Sequence, residues 1–213
     1  MILYNPLDGE AITSSIKNMP RTCFLMTRLG EPISNELNEI KNMLQRICTQ
    51  KKYEVLDANS EITGRDFLLK IWKLIAGCPL SIGISHEDIP SKTQMNIYYE
   101  LGVAQALGKE TIVIKSKKSE IPSDFVRTEY IIYDDHISES FLKYLESLDK
   151  QATHYELMAD QLDKDPVLAI DYLKRAFLIT GNSELKVKVN KLLENSGLHE
   201  RAKNSVELLA ANF

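Results

Sequence analysis

Apolar and polar positions alternate in blocks along this chain. Residues 22–26 (TCFLM) form a compact apolar run of strand length. A loop at 27–32 holds Gly30 and Pro32. After it Ile33, Leu37, Ile40, Met43, Leu44 and Ile47 recur at helical spacing, which predicts a helix with one apolar face. A second strand is expected at 53–56 and a polar loop at 57–64. A helix carrying Phe67, Leu68, Ile71, Trp72 and Ile75 follows, stopped by Gly77 and Pro79. Residues 80–84 read as a third strand and 85–95 as a polar loop with Pro90. Residues 96–107 read as a helix closed by Gly108, and 111–115 as a fourth strand. Residues 130–133, rich in isoleucine and tyrosine, give a fifth, and 137–148 a further helix.

Strand and helix alternating in this way predict an α/β domain: a flavodoxin-like five-stranded parallel sheet in the order 2-1-3-4-5. That order reverses between strands 1 and 3, so the loops 27–32 and 85–95 should face each other across one cleft at the carboxyl ends of the strands. From about residue 151 strand signals vanish. The expected organisation is a lead-in at 1–20 with one short helix near 11–17, the α/β domain at 21–150, and a C-terminal helical extension at 151–213. Within the extension DPVLAIDYLKRAFLITGN weakly resembles one tetratricopeptide-type helical hairpin, and Gly181 and Gly197 punctuate further helices.

Composition narrows the classes. The 213 residues carry 26 Lys and Arg against 30 Asp and Glu, a net charge of −4, with 44% apolar residues. That balance excludes a disordered, collagen-like or coiled-coil chain. No apolar run approaches the ~20 residues of a membrane span, and the N-terminus shows no signal-peptide pattern. Cys23, Cys48 and Cys78 are odd in number and widely spaced, which points away from a disulfide framework or a metal clip and toward the cytoplasm. The mild acidity argues against a nucleic-acid partner, and the scattered histidines His86, His136, His154 and His199 give no zinc pattern and read as surface residues.

The stretch NIYYELGVAQALGK, residues 96–109, carries the candidate chemistry. Asn96 suits an N-cap. Glu100 then falls near the first turn at the cleft mouth, beside Tyr98 and Tyr99, while Leu101, Ala104 and Leu107 face the sheet and Gly102 permits close approach. Such a carboxylate can act as nucleophile or base, or simply offset the helix dipole. Gly30 is either a turn glycine or a place where backbone amides approach a phosphate. Cys78 has no histidine placed by sequence to activate it, and residues 115–118 read as a solvated basic loop.

This stretch resembles the signature of the nucleoside 2-deoxyribosyltransferase-like family and its TIR-like relatives. CFLMTRLGEPISNELNEIKNML and EIPSDFVRTEYIIYDD resemble the first and last parts of the same domain, in the right order. The resemblance covers about residues 21–135. It implies cleavage of the N-glycosidic bond of a nucleoside, nucleotide or NAD, with Glu100 as nucleophile or charge stabiliser at C1′ and Asp66 as a second catalytic carboxylate. Asn96, Tyr98, Tyr99, Arg65, Gly30 and Ser85 would bind substrate, and no metal or cofactor is implied. NAD or a nucleotide enters as substrate or ligand. The chain departs from the family at Ser85, Gln94 and the Gly77–Cys78–Pro79 turn, where aspartates are usual. These departures favour hydrolysis or binding over transfer. Two alternatives remain beside an N-glycosidase: a non-catalytic nucleotide sensor signalling through its helical tail, and a degenerate interaction scaffold. A role in bacterial defence or signalling, and self-association or a protein partner through 151–213, are expectations by analogy.

Overall fold

The structure, a computed structural model, describes residues 16–58, 67–125, 129–162 and 164–195, with Tyr4 and Gly9. The lead-in helix expected near 11–17, the helix after Gly197, and both Arg65 and Asp66 lie outside the described residues in whole or in part. Five parallel strands, β1 (Thr22–Met26), β2 (Glu54–Asp57), β3 (Leu80–Ser85), β4 (Glu110–Lys115) and β5 (Tyr130–Ile132), form one sheet in the order β2-β1-β3-β4-β5. This is the flavodoxin-like order that the alternation of elements predicts.

The order also decides the faces. α1 (Asn35–Gln50) connects β1 to β2, running one way across the sheet. α2 (Phe67–Gly77) and α3 (Ser91–Ala106) run the other way. Right-handed crossovers therefore put α1 on one face and α2 and α3 together on the other. α4 (Ile137–Asp160) follows β5 and packs on α1. α1 starts where its sequence allows: the Ser34 side chain accepts from the Leu37 N–H, and Leu37, Ile40, Leu44 and Ile47 are buried.

β3 reads Leu-Ser-Ile-Gly-Ile-Ser, and alternation sends its large and small residues to opposite faces. A Cβ added to Gly83 would lie 2.6 Å from Leu101 Cδ1 and 3.2 Å from Ile97 Cγ2 of α3, so Ser81, Gly83 and Ser85 form the face on which α3 rests. Leu80, Ile82 and Ile84 face α1, and Cys23 of β1 faces Cys48 of α1 at 4.0 Å between sulfurs. The close-approach glycine is thus Gly83 on the strand. Gly102, expected to serve that purpose, has only Phe125 within 4 Å of an added Cβ, at 3.8 Å.

α3 begins at Ser91, with Pro90 as its N-cap, five residues before the expected start at Asn96. Proline is well suited to a helix entry because the N–H it lacks has no partner there. Residues 91–95 carry no apolar stripe: Ser91, Lys92 and Met95 are exposed, and the half-buried Thr93 and Gln94 are polar. Asn96 is therefore inside the helix and not its cap, and Glu100 sits in the third turn.

α4 is one continuous helix through residue 160, crossing positions 150–151 without a break. DPVLAIDYLKRAFLITGN is a single helix, α5 (Pro166–Thr180), rather than a hairpin. The Asp165 side chain caps its N-terminus and Gly181 closes it at φ 70°. Its hairpin partner is α4, and α6 (Glu184–Asn195) packs on α5. This helical group closes the amino-terminal edge of the sheet. The Arg21 N–H donates to Leu178 O at 2.8 Å, Tyr53 OH to Ile179 O at 3.1 Å, and Tyr155 OH to the Glu110 carboxylate at 2.7 Å. The Arg21 guanidinium stacks over the Tyr53 ring at 4.1 Å and donates to the carbonyls of Lys51 and Ile179.

Arg21 thus ties three elements with a planar donor fork that an ammonium cannot reproduce. Arg21→Ala is expected to lower unfolding stability by about 2 kcal/mol, with Arg21→Lys recovering only a minor part. Urea denaturation of the three proteins checks this.

Candidate active site

Glu100 follows from the seating of α3. Ile97, Leu101 and Ala104 are buried against the sheet, and their stripe sets the helix's rotation. Tyr98 and Glu100, two residues apart, are about 200° apart around the axis and so flank that stripe on opposite sides. Tyr98 occupies the β4 side: its ring lies 5.2 Å from that of Phe125, and its hydroxyl is within bonding range of Glu120 O. Glu100 consequently lies on the other flank, toward α2 and β1. Leu101 and Ile97 rest on Gly83, which pairs with Met26 at the end of β1. The carboxylate is therefore level with the point where the strand order reverses, the usual ligand crevice of such sheets.

Its environment is unusual for a glutamate. Among the described residues no hydrogen bond or ion pair reaches the carboxyl, and burial alone pushes its pKa from 4.5 up to about 7. A group with such a value presents both a carboxylate and an acid near neutrality, as catalytic carboxyls must. Asn96, one turn earlier, shares the Glu100 flank and is exposed. Tyr99 is 52% exposed and points to solvent.

The opposite flank is a network of neutral groups. Ser85, at the end of β3, is buried. Its hydroxyl takes the Tyr98 OH at 3.0 Å, accepts from the Gln94 amide and shares a hydrogen bond with Ser119. Of the sequence candidates, then, Ser85 and Tyr98 meet each other, Asn96 accompanies Glu100, and Tyr99 stands apart. Gly30 lies in an exposed turn at φ 81°, a conformation that favours glycine, with nothing within 4 Å of an added Cβ. The loops 27–32 and 85–95 do face each other, because Arg28 donates to Asp88 O across the gap at 3.2 Å.

His86 is not a surface residue. Its side chain is wholly buried on the α1 face. Nδ1 accepts from the Asp88 N–H at 3.1 Å, and Nε2 lies 3.4 Å from the Glu36 carboxylate without a hydrogen bond. The signal available in sequence was its position directly after β3, where alternation puts it on the same face as Leu80, Ile82 and Ile84. Cys78 is buried and its thiol pushed up to about 12 by burial, which removes it as a nucleophile. Among the described residues no cluster of histidine, cysteine or carboxylate side chains could hold a metal, and no helix is long and apolar enough to cross a membrane.

Because the folded-state pKa of Glu100 is raised, its contribution to stability is full below about pH 4.5 and is lost as the pH rises through about 7. Glu100→Gln removes that loss. The variant is expected to match the wild type in unfolding free energy at pH 5 and to exceed it by about 1–2 kcal/mol at pH 8.5, with a correspondingly higher melting temperature. A thermal-melt series across pH checks the sign.

No protein-family model matches the chain, and no curated protein matches it. Among solved structures it is similar to the CMP N-glycosidase BcmB of Clostridium botulinum, at 21% identity and a TM-score of 0.39, over 59% of this chain and 98% of that one. It is also similar to the 2-deoxyribosyltransferase of Bacillus psychrosaccharolyticus, at 12% identity and a TM-score of 0.44, over 57% of this chain and 90% of that one.

Proposed function

We propose that the chain hydrolyses the N-glycosidic bond of a nucleoside or nucleotide, NAD included, with Glu100 as the group that meets C1′. The observation that carries this reading is the Glu100 carboxyl itself: half-buried, without a charged partner among the described residues, with a pKa raised by burial to about 7, and level with the β1–β3 crevice. An oxocarbenium-like sugar needs a carboxylate close to C1′, and a desolvated one without a counter-ion stabilises that charge most. In the first step the Glu100 carboxylate bonds to C1′ while the C1′–N bond breaks. The base leaves with the electron pair; a nucleoside base that leaves as an anion takes a proton from water, whereas nicotinamide leaves neutral and takes none. A second water then cleaves the glycosyl ester and restores the carboxylate. If Glu100 only stabilises the cation, water attacks C1′ directly. Asn96, exposed on the Glu100 flank, offers an amide for the polar edge of a sugar or base.

One observation favours the non-catalytic alternative, a nucleotide sensor. Gln94 is neutral and its amide is engaged with Ser85, so it supplies no second carboxyl to protonate the leaving base. The assay that separates the two readings incubates the protein with nucleosides, nucleoside monophosphates and NAD, and follows released base by chromatography. Base release is expected, rising with pH through about 7 as Glu100 ionises. Glu100→Gln is expected to lower it at least about a hundredfold while nucleotide binding persists. Base release undiminished in the variant overturns the role of Glu100. Saturable nucleotide binding with no base released from any substrate establishes the sensor reading instead.

A further inference from the structure

His86 is a buried titratable group that the chemistry at Glu100 leaves unused. Its side chain is fully enclosed just past the carboxyl end of β3, yet three carboxylates stand within 4 Å of its ring. Glu36 Oε2 of α1 lies 3.4 Å from Nε2. Glu87 Oε2 and Asp88 Oδ2, from the turn after β3, lie 3.8 Å and 3.6 Å from Nδ1. The neighbouring cations are set back. Arg28, in the loop after β1, is engaged with the Asp88 carbonyl at 3.2 Å, and Lys118, in the loop after β4, attracts the Glu87 carboxylate without pairing with it.

The ring is held in its neutral state. Nδ1 accepts from the Asp88 N–H at 3.1 Å, which puts the ring proton on Nε2. A second bond, from the Ile89 N–H to His86 O at 3.0 Å, closes the same turn. A further proton reverses this arrangement. Nδ1 then carries a hydrogen and cannot accept, so two donors face each other and the Asp88 N–H loses its partner. The acceptors in reach of the new Nδ1–H are the carboxylates of Glu87 and Asp88, and meeting one of them requires the turn to rearrange. Glu87 is ready for this role: the Ser116 hydroxyl, foremost, holds its carboxyl below the usual range and so keeps it ionised.

We propose that protonation of His86 is a pH switch that opens the 86–88 turn and with it the Arg28–Asp88 bridge between the two loops flanking the β1–β3 crevice. The bridge ends on the carbonyl of the residue whose N–H is displaced, so the turn cannot rearrange without moving it. Histidine is the side chain that ordinarily changes charge between pH 5 and 8, and a buried cation needs paired anions such as these three. The crevice is bridged at the alkaline end of that range and unbridged at the acid end. Glu36 and Glu87 also line a cleft of about 820 Å³ on the α1 face, so the same proton draws two of its walls toward the ring. The switch depends neither on Glu100 nor on any catalytic activity.

Nitrogen-15 NMR of the labelled chain, followed from pH 8 to pH 5 in the Glu100→Gln variant so that ionisation of Glu100 contributes nothing, tests this. At pH 8 the His86 ring is expected to show a protonated Nε2 and an unprotonated Nδ1. Toward pH 5 Nδ1 is expected to gain its proton, and the Asp88 amide to lose at least about tenfold in hydrogen-exchange protection over the same interval. Glu36→Gln combined with Glu87→Gln is expected to lower the pH of the transition by about one unit. The proposal is overturned by a ring that keeps Nδ1 unprotonated down to pH 5, by protonation without loss of protection at Asp88, or by a transition indifferent to the two carboxylate substitutions.

Discussion

The structure depends on how closely α3 lies on β3. Ser81, Gly83 and Ser85 leave a shallow strip on one face of the central strand, and Ile97 and Leu101 fill it. The contact has a cost. The Ser81 hydroxyl is buried with no hydrogen-bond partner among the described residues, a loss of about 1–3 kcal/mol. In return the helix is fixed in rotation as well as in depth. Tyr98 is thereby committed to Ser85 and Phe125, and Glu100 is pressed into the opposite flank, where it loses water without gaining a counter-charge from any described residue. The raised pKa of the carboxyl is a consequence of the fit between a helix and three small residues.

β3 has two chemically different faces, and they diverge further at its end. Ser85 turns toward α3 and joins a network of neutral hydroxyl and amide groups. His86, the next residue, turns toward α1 and meets carboxylates. One pleat thus separates the neutral network beside α3 from an acidic cleft of about 820 Å³ on the α1 face.

The helical group occupies the remaining end. Arg21, Tyr53 and Glu110 connect the amino-terminal edge of the sheet to α4 and α5. Arg175 meets Gly108 O at the turn between α3 and β4. Lys109 at that turn is half-buried, and desolvation lowers its pKa to about 8.

Periodicity in the sequence was enough for the strands, the order of the sheet and the facing loops, because each rests on a local pattern or on a topological rule that follows from it. Glu100 was legible as a motif, and Ser85 and Tyr98 as its neighbours. Their relation was not: a motif gives spacing along the chain, while which flank a residue occupies depends on which stripe of the helix is buried. The start of α3 was hidden because its first turn shows no apolar stripe. Alternation along β3 put His86 on the α1 face, but the group that stands over it, Glu36 on α1, comes from a distant part of the chain and has no signature beside it. The sequence by itself determined the alternation of elements and hence the sheet. Tertiary structure alone decided which carboxyls lose their water, since desolvation is a property of what packs around a side chain and has no signature in the residues beside it.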